Sequence, residues 1–336
     1  MNDEPLSAGK LDPLFLEELI GSLRQDERVI VGPKIGEDAA VVDFGKTCLV
    51  IKTDPITFTS ENIGWYVVNI NANDVACMGA TPRWLLLTTL LPERKTSKKL
   101  VKDIFRQLIC ACEELGISLI GGHTEITPKV SCPILIGQMI GEVTKERLIK
   151  GSGARVGDVV LLTKGIAIEG TSVIYQEKKE ELKEKLPDRI VGRIKNFLHN
   201  PGISVVKDAL LASRSVRVHS MHDPTEGGLR TGLWELAHAS KVGLRIDKHK
   251  IPILKETEML CKLYGLDPLR LLASGALILT LPPEEAERLR QIYEQNDISC
   301  SIIGEVVPRK EGIKLMEEGK EYNLLFEYKD EISKIL

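Results

Sequence analysis

The chain has 336 residues, enough for two domains that each bury a core of their own. Hydrophobic residues at 43% and charged residues at 28% are ordinary for a globular protein, while aromatics at 4% leave the interior to aliphatic side chains. Lysine plus arginine number 45 against 48 acidic residues, a formal charge of −3 that excludes a nucleic-acid or membrane-surface role driven by bulk charge.

In chain order, Leu14, Leu16, Leu19, Ile20 and Leu23 keep helical spacing and predict a first helix over 11–23. A short strand is expected over 29–31, then a turn-rich loop from Gly32 to Asp38. Strands follow over 39–43 and 48–52, with Gly45-Lys46 as the hairpin turn and Thr53-Asp54-Pro55 ending the second. Ser60 reads as the N-cap of a helix to about Met78, with Gly79 at its C-terminal end. The nearly continuous apolar run over 84–90 predicts a strand covered on both faces. Helical spacing of Leu100, Ile104, Leu108, Cys112 and Leu115 predicts a helix over 97–115 that Gly116 stops. A short strand over 118–120 should enter a loop of Gly121-Gly122-His123-Thr124-Glu125, and another strand is expected over 133–143.

Glycines and charges replace the apolar pattern over 150–158, so domains of 1–150 and 151–336 are expected. The second should open with a strand over 159–163, followed by a charged, solvated helical stretch over 176–188. A turn and helix are expected over 223–240, strands over 244–246, 276–281 and 298–306, and a helix over 283–295. Strands and helices thus alternate in both halves, which gives an α/β (α+β) fold of two domains.

The seven cysteines are odd in number, irregularly spaced and free of any CxxC pair, so neither a disulfide framework nor a zinc site is expected. The first ten residues lack a signal-peptide pattern, and no apolar run approaches the roughly 20 residues that span a bilayer. A cytoplasmic protein without membrane or nucleic-acid partners is expected.

The informative feature is the placing of the acidic residues. Asp38 follows Gly36, Asp54 ends a strand, Asp74 lies within an otherwise apolar helix, Glu125 follows a Gly-Gly pair, and Asp223 precedes Pro224 and a second pair, Gly227-Gly228. Singly, Asp38, Asp54 and Asp223 are what turns and caps use. Asp74 is neither at a cap nor in a turn. With Asn69, Asn71 and Asn73 beside it, it lowers helix propensity and needs buried partners, as helices that support a site do. Clustered carboxylates and amides suit Mg2+, which bridges protein carboxylates to phosphates. Gly36 and Gly121-Gly122 could bring backbone N–H groups to phosphate oxygens, although neither a Walker A pattern nor a GxGxxG follows a strand. His123 suits a general base or a phosphate contact, and equally an ordinary hydrogen bond; His222 beside Asp223 carries the same two readings.

The segments Gly36-Glu37-Asp38-Ala39-Ala40, Lys52-Thr53-Asp54-Pro55, Asn73-Asp74-Val75-Ala76-Cys77-Met78-Gly79-Ala80, Gly121-Gly122-His123-Thr124-Glu125 and Asp223-Pro224-Thr225-Glu226-Gly227-Gly228-Leu229 resemble, in order, the motifs of the aminoimidazole ribonucleotide synthase (PurM) superfamily. The resemblance covers most of the chain. It implies a two-domain PurM-like fold whose N-terminal domain contributes strands to a dimeric β-barrel, and hence a homodimer. It further implies ATP in the cleft, with Mg2+ on Asp38, Asp54, Asp74 and Asp223. Phosphates would meet Lys10, Gly36, Lys52, Asn73, Gly121, Gly122 and Thr124, with Gly9 and Lys10 on a segment that closes over them. His123 and Glu125 would position the acceptor as catalytic residues.

Among the subfamilies, Asn73-Asp74-Val75-Ala76 with Asp223-Pro224-Thr225 is most similar to the hydrogenase-maturation type, HypE, which dehydrates a carbamoylated C-terminal cysteine. The final residues, Glu331 to Leu336, include no cysteine, so self-modification of that kind is not expected. The resulting expectation is an ATP- and Mg2+-dependent enzyme that activates an oxygen or carbonyl group of an unknown acceptor by phosphorylation. A small-molecule kinase resembling thiamine-monophosphate kinase and a non-catalytic ATP-binding maturation scaffold are the alternatives.

Overall fold

The computed structural model describes residues 9–336 apart from positions 22, 24 and 25. The expected first helix forms over Pro13–Ile20 (α1), where the Asp12 carboxylate accepts the Phe15 amide. Position 22 of the expected span, and residues 1–8 of the N-terminal segment, lie outside the described residues.

The first unit continues with β1 (Val29–Val31), β2 (Ala40–Phe44), β3 (Thr47–Ile56), α2 (Ile63–Cys77), β4 (Thr81–Pro92), α3 (Lys98–Leu115), β5 (Ser118–Thr127) and β6 (Ile134–Thr144). The strands form one sheet in the order β1-β2-β3-β6-β4-β5, antiparallel except where β4 runs beside β5. Gly45 turns the β2–β3 hairpin at φ 88°, and its amide reaches the Asp43 carboxylate. β3 does not stop at Thr53 as expected. It carries Asp54 and Pro55 onward, opposite Gly137 and Ile136 of β6, because the long β6 ladder holds it.

The second unit comprises β7 (Val159–Thr163), α4 (Ile168–Lys185), α5 (Asp188–Lys195), α6 (Val206–Ser215), β8 (Ser220–His222), α7 (Gly228–Ser240), β9 (Gly243–Asp247), α8 (Lys255–Tyr264), β10 (Ile278–Leu281), α9 (Pro283–Glu294), β11 (Cys300–Val307), β12 (Ile313–Glu317) and β13 (Lys320–Asn323). Its sheet runs β13-β12-β9-β11-β7-β10-β8, with β9 and β12 the parallel neighbours. No helix among the described residues is long and apolar enough to cross a membrane.

Helix α2 joins the two units. Every one of its residues is buried, so it has no polar stripe to turn outward. One side lies on β3 and β6, the other meets α6 and β8. A single apolar cluster runs through it from the first sheet to α4 and α6. The expected Ser60 cap is not used: the helix starts after Asn62, which sits at φ 56° and makes no side-chain cap. Its asparagines bond in two directions. Asn71 donates to the carbonyls of Val67 and Asp54, while Asn73 donates to Ile203 and accepts the Val205 amide.

β4 alternates between fully and partly buried positions rather than being covered on both faces. Its neighbour β5 is exposed along nearly its whole length and forms the sheet edge.

Candidate functional site

The site lies where the ends of three elements from the first unit meet two from the second. The loop before β2 supplies Asp38, β3 supplies Lys52 and Asp54, and α2 supplies Asp74. The end of β8 supplies His222 and Asp223, and α7 supplies Glu235. With Lys10 they surround a cavity of about 210 Å3. The loop reaches α7 closely because residue 36 is glycine: at φ 75°, any Cβ there would collide with the Glu235 carbonyl. The neighbouring Glu37 also lines the cavity, and its carboxylate accepts the Gly151 and Ser152 amides.

Lys52 stands between two carboxylates, 3.3 Å from Asp74 and 3.7 Å from Asp54. Burial pulls its ammonium down, but Asp74 and Asp54 outweigh that and raise its pKa above the ordinary lysine range. Burial raises the Asp74 carboxyl well above the usual aspartate value, and Lys52 offsets only part of this. Asp223 is pushed up to about 7 by burial and by the charge of Asp38. Burial and the nearby carboxylates likewise push the Cys77 thiol up; it donates to Asp223 Oδ1 at 3.5 Å.

Three buried carboxylate oxygens, Asp38 Oδ2, Asp74 Oδ2 and Asp223 Oδ2, have no hydrogen-bond partner among the described residues. Ligand atoms of Asp38, Cys77 and Asp223 lie within 4.8 Å of one another. Bare buried oxygens on crowded carboxylates are what a hard divalent cation satisfies, and a protonated thiol is no ligand for it. The donor set therefore fits Mg2+.

On the opposite side, His222 Nδ1 meets Asp38 Oδ1 at 2.5 Å and Nε2 meets Glu235 Oε2 at 3.1 Å. Burial alone would lower the imidazole, but Asp38 and Glu235 outweigh it and raise its pKa well above 6.5. Burial raises Glu235 in turn, yet Lys10 and His222 outweigh it and bring that carboxyl down to about 2. Lys10 closes this side, 3.2 Å from Glu235.

A second cavity of about 150 Å3 shares Lys10, Asp54 and Thr225 with the first. Ile56, Phe58, Ile70 and Leu272 give it apolar walls, while Glu169, Glu226 and Ser274 supply polar groups. Burial lifts Glu169, at the start of α4, to about 7, although Ser274 beside it works the other way.

Of the residues singled out from sequence, Lys10, Gly36, Asp38, Lys52, Asp54, Asp74 and Asp223 are brought together here. Asn73 is not. Both ends of its amide are occupied by the 203–205 segment, so it fastens the second unit to α2. The Gly121-Gly122-His123-Thr124-Glu125 stretch is strand rather than loop, and none of it lines the acidic cavity. It lies three strands away from β3, roughly 14 Å at about 4.8 Å per neighbour. Its glycines follow a β-bulge at Ile120; a Cβ on Gly122, at φ 147°, would collide with the Leu87 carbonyl. His123 and Glu125 touch each other at 3.4 Å, with side chains 66% and 49% exposed. Glu235 carries no sequence signal, since an acidic residue on a helix face ordinarily points to water.

Residues 36–143 match the N-terminal domain, and residues 155–315 the C-terminal domain, of AIR synthase related protein. The carbamoyl dehydratase HypE of Azotobacter vinelandii is 30% identical over 93% of this chain and 89% of its own. The thiamine-monophosphate kinase of Pyrococcus horikoshii is 29% identical over 85% and 87%. A hydrogenase maturation protein HypE solved in complex with ATP superposes with a TM-score of 0.67 at 22% identity, covering 94% of this chain and 91% of that one. With both domains matched in order and the two sheets described above, the chain belongs to the AIR synthase related family, of the PurM-like two-domain fold.

Proposed function

We propose that this protein is an ATP- and Mg2+-dependent enzyme that phosphorylates an oxygen of its acceptor, in the manner of a HypE-like dehydratase. The observation that carries the reading is the convergence of three partnerless, buried carboxylate oxygens beside Lys52 and Lys10. Relatives whose names give a carbamoyl dehydratase and a kinase, and an ATP complex among the similar structures, support it.

Asp38, Asp54, Asp74 and Asp223 would hold the metal, which supplies charge neutralisation at the phosphates when bound. Lys52 compensates Asp54 and Asp74 and, with Lys10, would meet phosphate oxygens. The adjoining cavity would take the acceptor, and the Glu169 carboxyl, near 7, can accept or return a proton there at neutral pH. Domains of 1–150 and 151–336 fit the two sheets. A homodimer built on the exposed β5 edge would set Gly121, Gly122, His123, Thr124 and Glu125 against a second chain, the setting in which their nucleotide or acceptor roles would operate.

Calorimetric titration with ATP, with and without Mg2+, tests the site. Tight binding only with Mg2+ is expected, and absence of binding in both would end the enzyme reading. The products then separate three chemistries: ADP with free phosphate for a dehydration, phosphate kept on the acceptor for a kinase, and neither for a scaffold.

A further inference from the structure

On the side of Asp38 away from Lys52, four side chains form an unbroken line that runs from the buried Asp38 and His222 to the part-exposed Glu235 and Lys10. Asp38 Oδ1 meets His222 Nδ1, His222 Nε2 meets Glu235 Oε2, and Glu235 Oε1 meets Lys10 Nζ at 3.2 Å. His222 and Asp38 side chains are 7% and 5% exposed, and Glu235 is 14% exposed. Ionised carboxylates only accept, so a ring set between two of them donates from both nitrogens and is fixed in orientation. That ring occupies one Asp38 oxygen and leaves the other, Oδ2, without a partner. The four residues come from four places in the chain: the N-terminal segment, the loop before β2, the end of β8, and α7.

We infer that His222 is a positioning residue which, through Glu235, couples the seating of Lys10 to the orientation of Asp38. The inference rests on the reading above that Asp38 holds the metal. Outer partners of a ligating carboxylate fix which oxygen faces the ion, and their loss commonly lowers metal affinity 10–100-fold. Here the same contact continues to a lysine that faces both cavities. When Lys10 leaves, Glu235 loses the contact that fixes its Oε1, so the carboxylate that anchors the ring is less firmly placed and Asp38 is held less tightly.

The test is ATP calorimetry across a series of Mg2+ concentrations on the full chain. Asn at position 222 presents its amide nitrogen where Nδ1 sits, whereas Gln reaches toward the Nε2 position. His222→Gln should raise the Mg2+ concentration for half-maximal ATP binding about tenfold. His222→Asn should recover most of that loss, which a merely structural histidine gives no reason for. Lys10→Met should raise the same midpoint, and the double variant Lys10→Met/His222→Gln should be no worse than its worse parent, the mark of one linked chain. An unchanged midpoint in His222→Gln, or additive effects in the double variant, overturns the coupling while the Mg2+·ATP site stands. A wild-type protein that binds ATP without regard to Mg2+ overturns both readings. Should His222→Gln not fold, Glu235→Gln probes the same line from its other end, with a raised midpoint expected and an unchanged one decisive against it.

Discussion

Asp74 is held in a fully buried helix against one lysine, with its second oxygen bare. Such a charge destabilises the ligand-free fold unless something positive arrives. Asp74→Asn should therefore leave the ligand-free protein at least as stable as wild type while removing Mg2+-dependent nucleotide binding. Thermal melts check this: saturating Mg2+·ATP at about 100 times its Kd should stabilise wild type by about 2.7 kcal/mol and leave the variant unmoved. Glu169 offers a pH counterpart. Its folded pKa, about 7, lies above the ordinary 4.5 because burial opposes ionisation. The fold thus binds the proton more tightly than the unfolded chain does. The contribution of Glu169 to stability is full below about pH 4.5, is lost as pH rises to about 7, and is smaller by about 3 kcal/mol beyond it. Glu169→Gln should flatten that slope and gain more stability at pH 8 than at pH 4 in urea unfolding; parallel profiles for both proteins would reject the assignment.

At the scale of elements, α2 explains why polar residues persist in a buried helix. Its asparagines replace backbone partners that neither neighbour can supply: Asn71 ties it to β3, and Asn73 ties it to the segment leading into α6. Asn73→Ala would leave the Ile203 carbonyl and the Val205 amide unpaired in the interior. At about 1–3 kcal/mol for each orphaned group, a loss of about 2–6 kcal/mol is expected. Because Asn73 makes no contact of its own with the acidic cavity, Mg2+·ATP affinity at low temperature should survive the substitution. A large affinity loss without destabilisation would return Asn73 to the nucleotide site.

For the molecule as a whole, β5 is an edge of the first sheet with no strand beside it among the described residues. β5 carries Leu119, Ile120 and Ile126 at 40%, 54% and 57% exposure, and natural proteins seldom leave such an apolar edge unpaired. A second copy aligned on β5 would cover it. Ile126→Lys should then convert a dimer to a monomer in sedimentation, because a lysine opposes edge pairing. An unchanged mass distribution would reject β5 as a dimer contact.

Local rules determined much of this protein. Ser97 caps α3 and Gly116 closes it at φ 66°, as their chemistry requires, and the hairpin at Gly45 and the helix after Gly227 follow the same kind of signal. The acidic residues were legible too, since a lone Asp74 in an apolar helix conflicts with helix propensity and burial together. What sequence could not decide is which groups meet. The short strands β8, β12 and β13 lack a strong period of their own and are held by their ladder partners. The Gly-Gly-His-Thr-Glu stretch looks like a phosphate loop by composition, and only its pairing with β4 made it an extended edge. Asn73 and Glu235 exchanged apparent roles for the same reason. A side chain's partner is fixed by the juxtaposition of elements distant in sequence, here α2 against the 203–205 segment and α7 against the N-terminal segment, and that juxtaposition exists only in the folded chain.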